Sequence, residues 1–333
     1  IHAVRVARRA GCGLAQVIAF RHREGQGPMR YRDFGRTGWQ VSTIGLGTWN
    51  IGNQWGALDD KTAWATVRAA YDHGMNLFDA AESYGVPNGL SEERLGVAMA
   101  GFRHNVYVVS KIGNWGARTG QAVPKTTVDM IRLCAHASLH RLRTDYHDVL
   151  LCHDGGIEDP SVYLEGFKAL QKEGRLRHYG ISTNDLDVLK RFNHEGGCKV
   201  VQVDYSLVNR TPEAELLPYC LAQGIAVMVR GPLARGLLSG RYTKESRFDD
   251  EVRSTYNVGG DARDTFETRM DTVDQIRELV EPAQMVSTAL QYVISQPTLP
   301  VAIPGAKSPE QAEMNAAAGA DTLSEEEVAR LQV

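Results

Sequence analysis

The sequence lacks the features of membrane, disulfide-rich and zinc-binding proteins. No apolar run approaches the roughly 20 residues that a membrane-spanning helix needs, and the longest clean apolar stretches have the length of a strand. The five cysteines are odd in number and scattered without CxxC spacing. A disulfide framework or a structural metal site is therefore not expected. These absences favour a globular enzyme of a reducing compartment, and we expect a cytoplasmic location.

The chain also lacks a strong charge bias. Its 333 residues include 37 Lys plus Arg and 40 Asp plus Glu, which gives a formal net charge of −3. A nucleic-acid surface or a polybasic membrane tail would require an excess of positive charge. We therefore predict neither a nucleic-acid partner nor a membrane partner. We expect a small-molecule substrate, bound by a monomer or a homo-oligomer.

Residues 1–28 differ from the rest of the chain in composition. They contain five arginines and one glutamate, and Met29 directly precedes the first segment with a regular pattern. We interpret residues 1–28 as a basic N-terminal extension outside the fold, consistent with upstream sequence. An Arg-rich, acid-poor segment is also typical of an organellar targeting peptide, although this one has no serine. Residues 29–333 are predicted to form a single domain.

From Met29 onward, short apolar runs alternate with segments of helical periodicity. A β-hairpin is predicted first, with strands at Tyr31–Phe34 and Trp39–Ser42 around a glycine-containing turn. The eight strands predicted after it are Thr43–Thr48, Asn76–Ala80, Val106–Lys111, His147–Cys152, His178–Ser182, Val200–Asp204, Ala226–Arg230 and Leu299–Ile303. The eight predicted helices are Lys61–His73, Glu92–Ala100, Thr127–Leu142, Ser161–Glu173, Leu186–Asn193, Pro212–Gln223, Ala283–Ser295 and Pro309–Ala317.

This alternation predicts an α/β fold, a (β/α)8 TIM barrel preceded by a β-hairpin. A doubly wound parallel sheet is the alternative. Such a sheet carries a GxGxxG motif after its first strand when it binds a dinucleotide. Here Gly45-Leu46-Gly47 continues as Thr48-Trp49-Asn50, so the barrel is preferred.

The segment from Gly231 to Glu281 joins the seventh barrel strand to its helix and is far longer than an ordinary connection. It is rich in Arg, Asp, Gly and Tyr. In a TIM barrel it lies at the C-terminal end of the strands, where active sites form. We predict a long loop that helps to hold a cofactor, with a merely tolerated insertion as the alternative.

Four chemically active side chains fall at consecutive strand ends. Asp79 and Tyr84 follow the second barrel strand, Lys111 ends the third, and His153 follows the fourth. A phenol with a pKa near 10 is a poor acid at neutral pH, and a nearby ammonium would lower that pKa. The set suits protonation of an alkoxide as a hydride arrives at its carbon. The alternative is that Asp79 and Lys111 form an ordinary ion pair, while Tyr84 and His153 have only structural roles. The occurrence of all four residues at consecutive strand ends favours catalysis.

Three motifs carry a resemblance to a known family. They are Phe34-Gly35-Arg36-Thr37-Gly38, Gly45-Leu46-Gly47-Thr48-Trp49, and Phe78-Asp79-Ala80-Ala81-Glu82-Ser83-Tyr84-Gly85. Over about residues 30–333 the chain resembles the aldo-keto reductases, in particular their bacterial, potassium-channel-β-subunit-like branch. The resemblance implies that Tyr84 is the general acid, Lys111 tunes it, Asp79 supports Lys111, and His153 orients the carbonyl.

The resemblance also implies a cofactor, NADP(H) extended across the barrel mouth, with NADH less favoured and no metal. The implied contacts begin with Gly47, Thr48, Trp49 and Asp79, and continue with Ser182, Thr183 and Gln202 at the carboxamide and Arg230 at the nicotinamide. Pro232, Leu233, Gly236, Gly240, Arg241 and Arg247 match the pyrophosphate loop, where backbone N–H groups and arginines suit phosphate. Gly305, Lys307, Gln311 and Asn315 match the adenosine end, with Lys307 at the 2′-phosphate.

Two positions depart from the family pattern. Arg230 stands where many members stack a Tyr or Trp on the nicotinamide, although a guanidinium plane also stacks. Met314 replaces a Glu that often contacts the adenine.

Tryptophans near the predicted rim indicate an aromatic-walled substrate pocket. Trp49, Trp55 and Trp115 lie in loops there, together with Tyr84 and His153. Such a pocket favours aldehydes and quinone-like or sugar-derived carbonyls. The alternative for each tryptophan is simple packing of its loop.

These observations predict NADPH-dependent reduction of aldehydes or ketones to alcohols, with Tyr84 as the general acid. Two alternatives remain open. The chain acts as an NAD(P)-dependent sugar or polyol dehydrogenase on the same four residues, or it is a slow NADPH-binding regulatory subunit.

Overall fold

The computed structural model describes residues 27–333, so most of the predicted N-terminal extension lies outside the described residues. An antiparallel hairpin opens the fold, with β1 (Tyr31–Asp33) paired to β2 (Gln40–Ser42). Trp39 of the hairpin stacks on Tyr107 at 4.5 Å between ring centroids. Because Tyr107 begins a barrel strand, the hairpin covers the N-terminal end of the barrel.

Eight parallel strands follow, and they form the barrel that the sequence predicts. They are β3 (Leu46–Gly47), β4 (Leu77–Asp79), β5 (Tyr107–Ile112), β6 (His147–Cys152), β7 (Leu176–Ser182), β8 (Val200–Asp204), β9 (Ala226–Arg230) and β10 (Val301–Ala302). Each pairs with the next along the chain. Ile44 and Gly47 pair in parallel with Ala302 and Gly305, which brings the last strand back beside the first.

Ten α-helices accompany the strands in the part of the chain that the structure describes. They are α1 (Asp60–Asp72), α2 (Leu90–Ala98), α3 (Val128–Leu142), α4 (Ser161–Lys172), α5 (Leu186–Phe192), α6 (Leu216–Gln223), α7 (Arg263–Arg277), α8 (Met285–Ile294), α9 (Pro309–Ala318) and α10 (Glu325–Arg330). Across residues 27–333, none of them is both long and apolar enough to cross a membrane.

Alternate residues of the strands pack into two separate cores. In β5, Val109 joins Leu77 and Val149 in a cluster inside the barrel, together with Phe34 of the hairpin turn. Val108, its neighbour in the strand, belongs to the larger cluster between the strands and the helices. Neighbouring apolar residues of a strand can therefore both be buried, because both faces of the sheet are covered.

The predicted long connection after β9 contains helical segments that the sequence analysis did not predict. Within it lie a helical turn at Ala234–Ser239 and the four-turn helix α7. The apolar residues Phe266, Met270, Val273 and Ile276 of α7 are buried at helical spacing, which is the pattern of an amphipathic helix. The connection is therefore a packed segment over the C-terminal end of the barrel.

A glycine in α4 provides a test of the packing between neighbouring helices. A Cβ placed on Gly166 would lie 2.6 Å from a methyl carbon of Ile131 in α3. Overpacking of this kind costs about 1–3 kcal/mol, whereas alanine gains about 1 kcal/mol over glycine in a helix. We expect Gly166→Ala to lower the free energy of unfolding, measured by urea denaturation. Gly156→Ala is the control, because its Cβ would meet no atom within 4 Å, and an equal loss in both variants would contradict the prediction.

Candidate active site

The C-terminal ends of the strands open into a cavity of about 890 Å³. Asp79, Tyr84 and His153 line this cavity, and Lys111 lies fully buried directly behind Asp79 and Tyr84. The strands place them there, because Asp79 ends β4 and Lys111 lies near the end of β5. The four residues predicted to be catalytic are thus brought together.

The Lys111 ammonium donates three hydrogen bonds. Its Nζ lies 2.7 Å from Asp79 Oδ2, 2.9 Å from the Ala80 carbonyl oxygen and 3.0 Å from the Tyr84 hydroxyl oxygen. An ammonium has only three donors, so all of them are used within the protein. Because the Tyr84 oxygen accepts from Lys111, its own O–H remains available to a ligand in the cavity.

The sequence predicts that a nearby ammonium lowers the pKa of Tyr84, but in the structure this pKa is raised. Burial raises the pKa of Tyr84, and the Lys111 ammonium opposes this rise without reversing it. Burial, the largest single influence, would lower the pKa of Lys111, but the interactions with Asp79 and Tyr84 together outweigh it and leave that pKa raised. The site therefore holds a charged lysine beside a protonated phenol at neutral pH, and the phenol is the form that donates a proton.

His153 stands at right angles to Tyr84, with 6.0 Å between the ring centroids. Burial lowers its pKa well below 6.5, and the positive charges of Lys111 and Arg230 act in the same direction. Its Nδ1 is buried without a hydrogen-bond partner. A neutral imidazole carries one N–H donor and one acceptor, so one hydrogen-bonding group of the His153 ring lacks a partner among the described residues.

Gln202, the middle residue of β8, also has a side-chain atom without a partner among the described residues. Its Nε2 donates to Asp79 Oδ1 at 2.7 Å, whereas its Oε1 is buried without a partner. Ser182 of the adjacent strand lines the cavity. The hydroxyl of Thr183 donates to the Gly155 carbonyl oxygen at 2.7 Å. An orphaned amide oxygen beside Asp79 fits a ligand that presents an amide N–H.

An aromatic wall lies beside the four residues Asp79, Tyr84, Lys111 and His153, which we call the tetrad. Trp49 stacks on Tyr84 at 5.6 Å, and Trp55 meets Trp49 edge-on at 5.2 Å. Gln54 accepts a hydrogen bond from the Trp49 indole at 2.7 Å and fixes its orientation. The third predicted tryptophan, Trp115, is absent from the cavity lining and lies under the guanidinium of Arg141 at 5.3 Å.

Positive charge predominates along the rest of the cavity. Seven basic side chains line it, namely Arg118, Arg230, Arg235, Arg241, Arg253, Arg269 and Lys307, against the three acids Asp79, Asp154 and Asp204. Arginine and lysine are the natural partners of phosphate groups. The lining is therefore suited to a ligand that carries phosphate groups.

Most of the residues predicted to bind the cofactor line this cavity. Those that do are Gly47, Trp49, Asp79, Ser182, Arg230, Pro232, Leu233, Gly236, Arg241, Gly305, Lys307, Gln311 and Asn315. Thr48, Thr183, Gln202 and Gly240 are outside the lining, as is the exposed Arg247. Met314 lines the cavity at the position of the family's Glu.

Several lining residues were missed by the sequence reasoning. They are chiefly Asn50, Gln54, Asn114, Arg118, Tyr242, Arg253 and Arg269. Arg253 stacks over the Trp55 ring at 5.6 Å and donates to the Tyr242 hydroxyl at 2.8 Å. The available signal was the richness of the long connection in Arg and Tyr.

Comparison with known proteins agrees with this geometry. The model of the aldo/keto reductase family matches residues 43–333. The NADH-specific methylglyoxal reductase of Escherichia coli (strain K12) is 30% identical over 320 residues, which cover 87% of this chain and 93% of that protein. The holo form of an aldo-keto reductase from Bacillus halodurans aligns with a TM-score of 0.76 and 29% identity, over 91% of this chain and 95% of the other.

A second solved structure adds a bound cofactor. An aldo-keto reductase from Klebsiella pneumoniae, solved in complex with NADPH, aligns with a TM-score of 0.67 and 31% identity, over 91% of this chain and 94% of the other. The resemblance seen in the sequence motifs is thereby confirmed along nearly the whole described chain. The chain belongs to the aldo/keto reductase family and is an oxidoreductase that acts on carbonyl or alcohol groups.

Proposed function

We propose that this protein reduces aldehydes and ketones to alcohols with NADPH, and that Tyr84 is the general acid. One observation carries the proposal. The Tyr84 oxygen accepts a hydrogen bond from the buried Lys111 ammonium at 3.0 Å, at the edge of a cavity of about 890 Å³. This arrangement leaves the phenolic proton for a ligand and keeps a positive charge beside the oxygen that loses it.

The lining fits NADPH. The basic side chains suit the pyrophosphate and the 2′-phosphate, and Lys307 remains our candidate for the 2′-phosphate contact. The Ser182 hydroxyl in the lining suits the nicotinamide carboxamide. Gln202 lies outside the lining, and its buried, unpartnered Oε1 remains our candidate for a second contact with that group. NADPH, when bound, supplies a hydride to the carbonyl carbon. The Klebsiella pneumoniae relative solved with NADPH supports this assignment, whereas the Escherichia coli relative is NADH-specific.

The residues of the chain then have separate tasks. Tyr84 donates its proton to the carbonyl oxygen as the alkoxide forms, and Lys111 stabilises the phenolate that remains. His153, held neutral by burial, donates a hydrogen bond that orients the same oxygen. The wall formed by Trp49 and Trp55 excludes water and favours carbonyls with apolar or aromatic substituents.

Steady-state oxidation of NADPH and NADH by the full chain tests the proposal. We expect turnover of aromatic, aliphatic and sugar-derived carbonyls, with a preference for NADPH. Oxidation of sugars or polyols in strong preference to carbonyl reduction would instead support the dehydrogenase alternative. Tight NADPH binding with no turnover in either direction would contradict an enzymatic role for the tetrad.

Lys307→Ala should separate the two cofactors. A hydrogen bond to a charged group contributes about 1.5–3 kcal/mol, so loss of a 2′-phosphate contact should raise the KM for NADPH about 10–100-fold and leave the KM for NADH unchanged. In the structure Lys307 Nζ also donates to the Trp55 carbonyl oxygen at 2.6 Å. An equal rise for both cofactors would mean that Lys307 acts only through that contact. Lys172→Ala, on the exposed face of α4, is the control.

A further inference from the structure

A buried ion pair lies beside the tetrad and has no part in the proton transfer. Glu82 is in the loop between β4 and α2, two residues before Tyr84, and its side chain is 2% exposed. Its Oε1 accepts a hydrogen bond from the backbone N–H of Gly113 at 2.8 Å and lies 3.5 Å from Nζ of Lys125, whose side chain is 1% exposed. A carboxylate and an ammonium thus meet behind the cavity wall.

The two partners of Glu82 mark the two ends of one loop. Gly113 directly follows β5, and Lys125 lies three residues before α3 begins. Between them, Asn114, Ala117 and Arg118 line the cavity. A single carboxylate therefore holds both ends of the segment that forms this wall, which we name the 113–125 loop.

The same contacts join the 113–125 loop to the tetrad. The backbone N–H of Glu82 donates to the Lys111 carbonyl oxygen at 3.0 Å, so main chain and side chain of Glu82 bind to successive parts of one segment. Gly113 in turn lies against His153, since a Cβ at Gly113 would be 3.1 Å from the His153 carbonyl carbon. Three of the four tetrad residues are therefore close to Glu82 or its contacts. Tyr84 follows Glu82 by two residues, Lys111 accepts its backbone hydrogen bond, and His153 lies against Gly113.

Stability alone gives little reason for such a pair. Desolvation of two buried charges offsets most of their attraction, and an apolar pair of similar volume is often as stable. What the pair supplies is fixed geometry. A displacement of about 1 Å in a positioning element can cost about a hundredfold in rate.

We propose that Glu82 and Lys125 are positioning residues that fix the 113–125 loop against the Tyr84 loop. This inference rests on the proposed carbonyl reduction. The pair sets the rate and the affinity for the carbonyl substrate and not the affinity for NADPH. The reason is that six of the seven basic side chains of the cavity lie outside this loop, and Arg118 alone lies within it.

Paired substitutions test the inference without leaving a lone buried charge. In Glu82→Leu/Lys125→Met both charges and the bond to Gly113 are lost, and we expect kcat to fall about a hundredfold with a raised KM for the carbonyl. The KM for NADPH should keep its wild-type value. In Glu82→Gln/Lys125→Met the amide oxygen can still accept from Gly113, so most of kcat should return. Glu93→Gln, exposed on α2, is the control.

Hydrogen exchange provides a readout that does not depend on turnover. The peptides covering residues 80–84 and 113–125 should exchange faster in Glu82→Leu/Lys125→Met, and the peptide covering α7 should not. Wild-type exchange in both segments, or wild-type kcat and carbonyl KM in a folded Leu/Met variant, would overturn the positioning role. If the wild-type protein did not turn over carbonyls, the proposed function would be overturned. The exchange result would still decide whether the Glu82–Lys125 pair holds the 113–125 loop. Circular dichroism and thermal unfolding confirm that each variant folds.

Discussion

Tyr84→Phe is expected to lower kcat for carbonyl reduction by about 10²–10⁴-fold, which is the usual contribution of general acid catalysis. The phenyl ring keeps the stacking contact with Trp49 at 5.6 Å, so the aromatic wall stays in place. Only the hydroxyl that accepts from Lys111 is lost. No other side chain accepts a hydrogen bond from Lys111 and also presents a hydroxyl proton to the cavity, among the described residues.

Cofactor binding separates this loss from a damaged site. The Kd for NADPH, measured by quenching of protein fluorescence, should remain at its wild-type value in Tyr84→Phe. Tyr71→Phe is a matched control, because its hydroxyl only accepts from Asn105 at 2.9 Å on the outer surface. A Tyr84→Phe protein with wild-type kcat would assign the proton transfer to another group, and His153 would be the next candidate.

The fold was predictable where burial leaves a pattern in the sequence. The strands β5 to β9 consist mainly of buried residues, most of them apolar, and their positions agree with the predicted runs to within about two residues. The helix α7 was missed although Phe266, Met270, Val273 and Ile276 follow helical spacing, because the many charges between them suggested a loop. Helix α10 was also missed, although Ser324 and Glu327 form a capping box at its start.

The tetrad was predictable for a topological reason, and its electrostatics were not. In a parallel barrel all strands end at the same face, so residues at the ends of neighbouring strands must meet. The pKa of Tyr84 depends on how far burial outweighs the Lys111 charge, and burial is known only in the folded protein. The same holds for contacts between distant loops, such as that of Lys307 with the Trp55 carbonyl.

Lys111→Met should have the second large effect, on both activity and stability. The substitution leaves the buried Asp79 carboxylate without its ion-pair partner, and breaking a buried pair in this way costs about 3–5 kcal/mol. The Lys111 charge also opposes the burial that raises the pKa of Tyr84. Without that charge the pKa rises further and the phenol becomes a weaker acid, so kcat for reduction should fall by about 10²–10⁴-fold.

The double variant Asp79→Asn/Lys111→Met separates the two effects. Because it removes both charges, it avoids the lone buried carboxylate, and most of the lost free energy of unfolding should return. Activity should stay low, since no positive charge remains to stabilise the Tyr84 phenolate. Urea denaturation and steady-state kinetics measure the two quantities independently. If kcat recovered together with stability, Lys111 would serve only to neutralise Asp79, and the tuning of Tyr84 would have to come from the buried cavity itself.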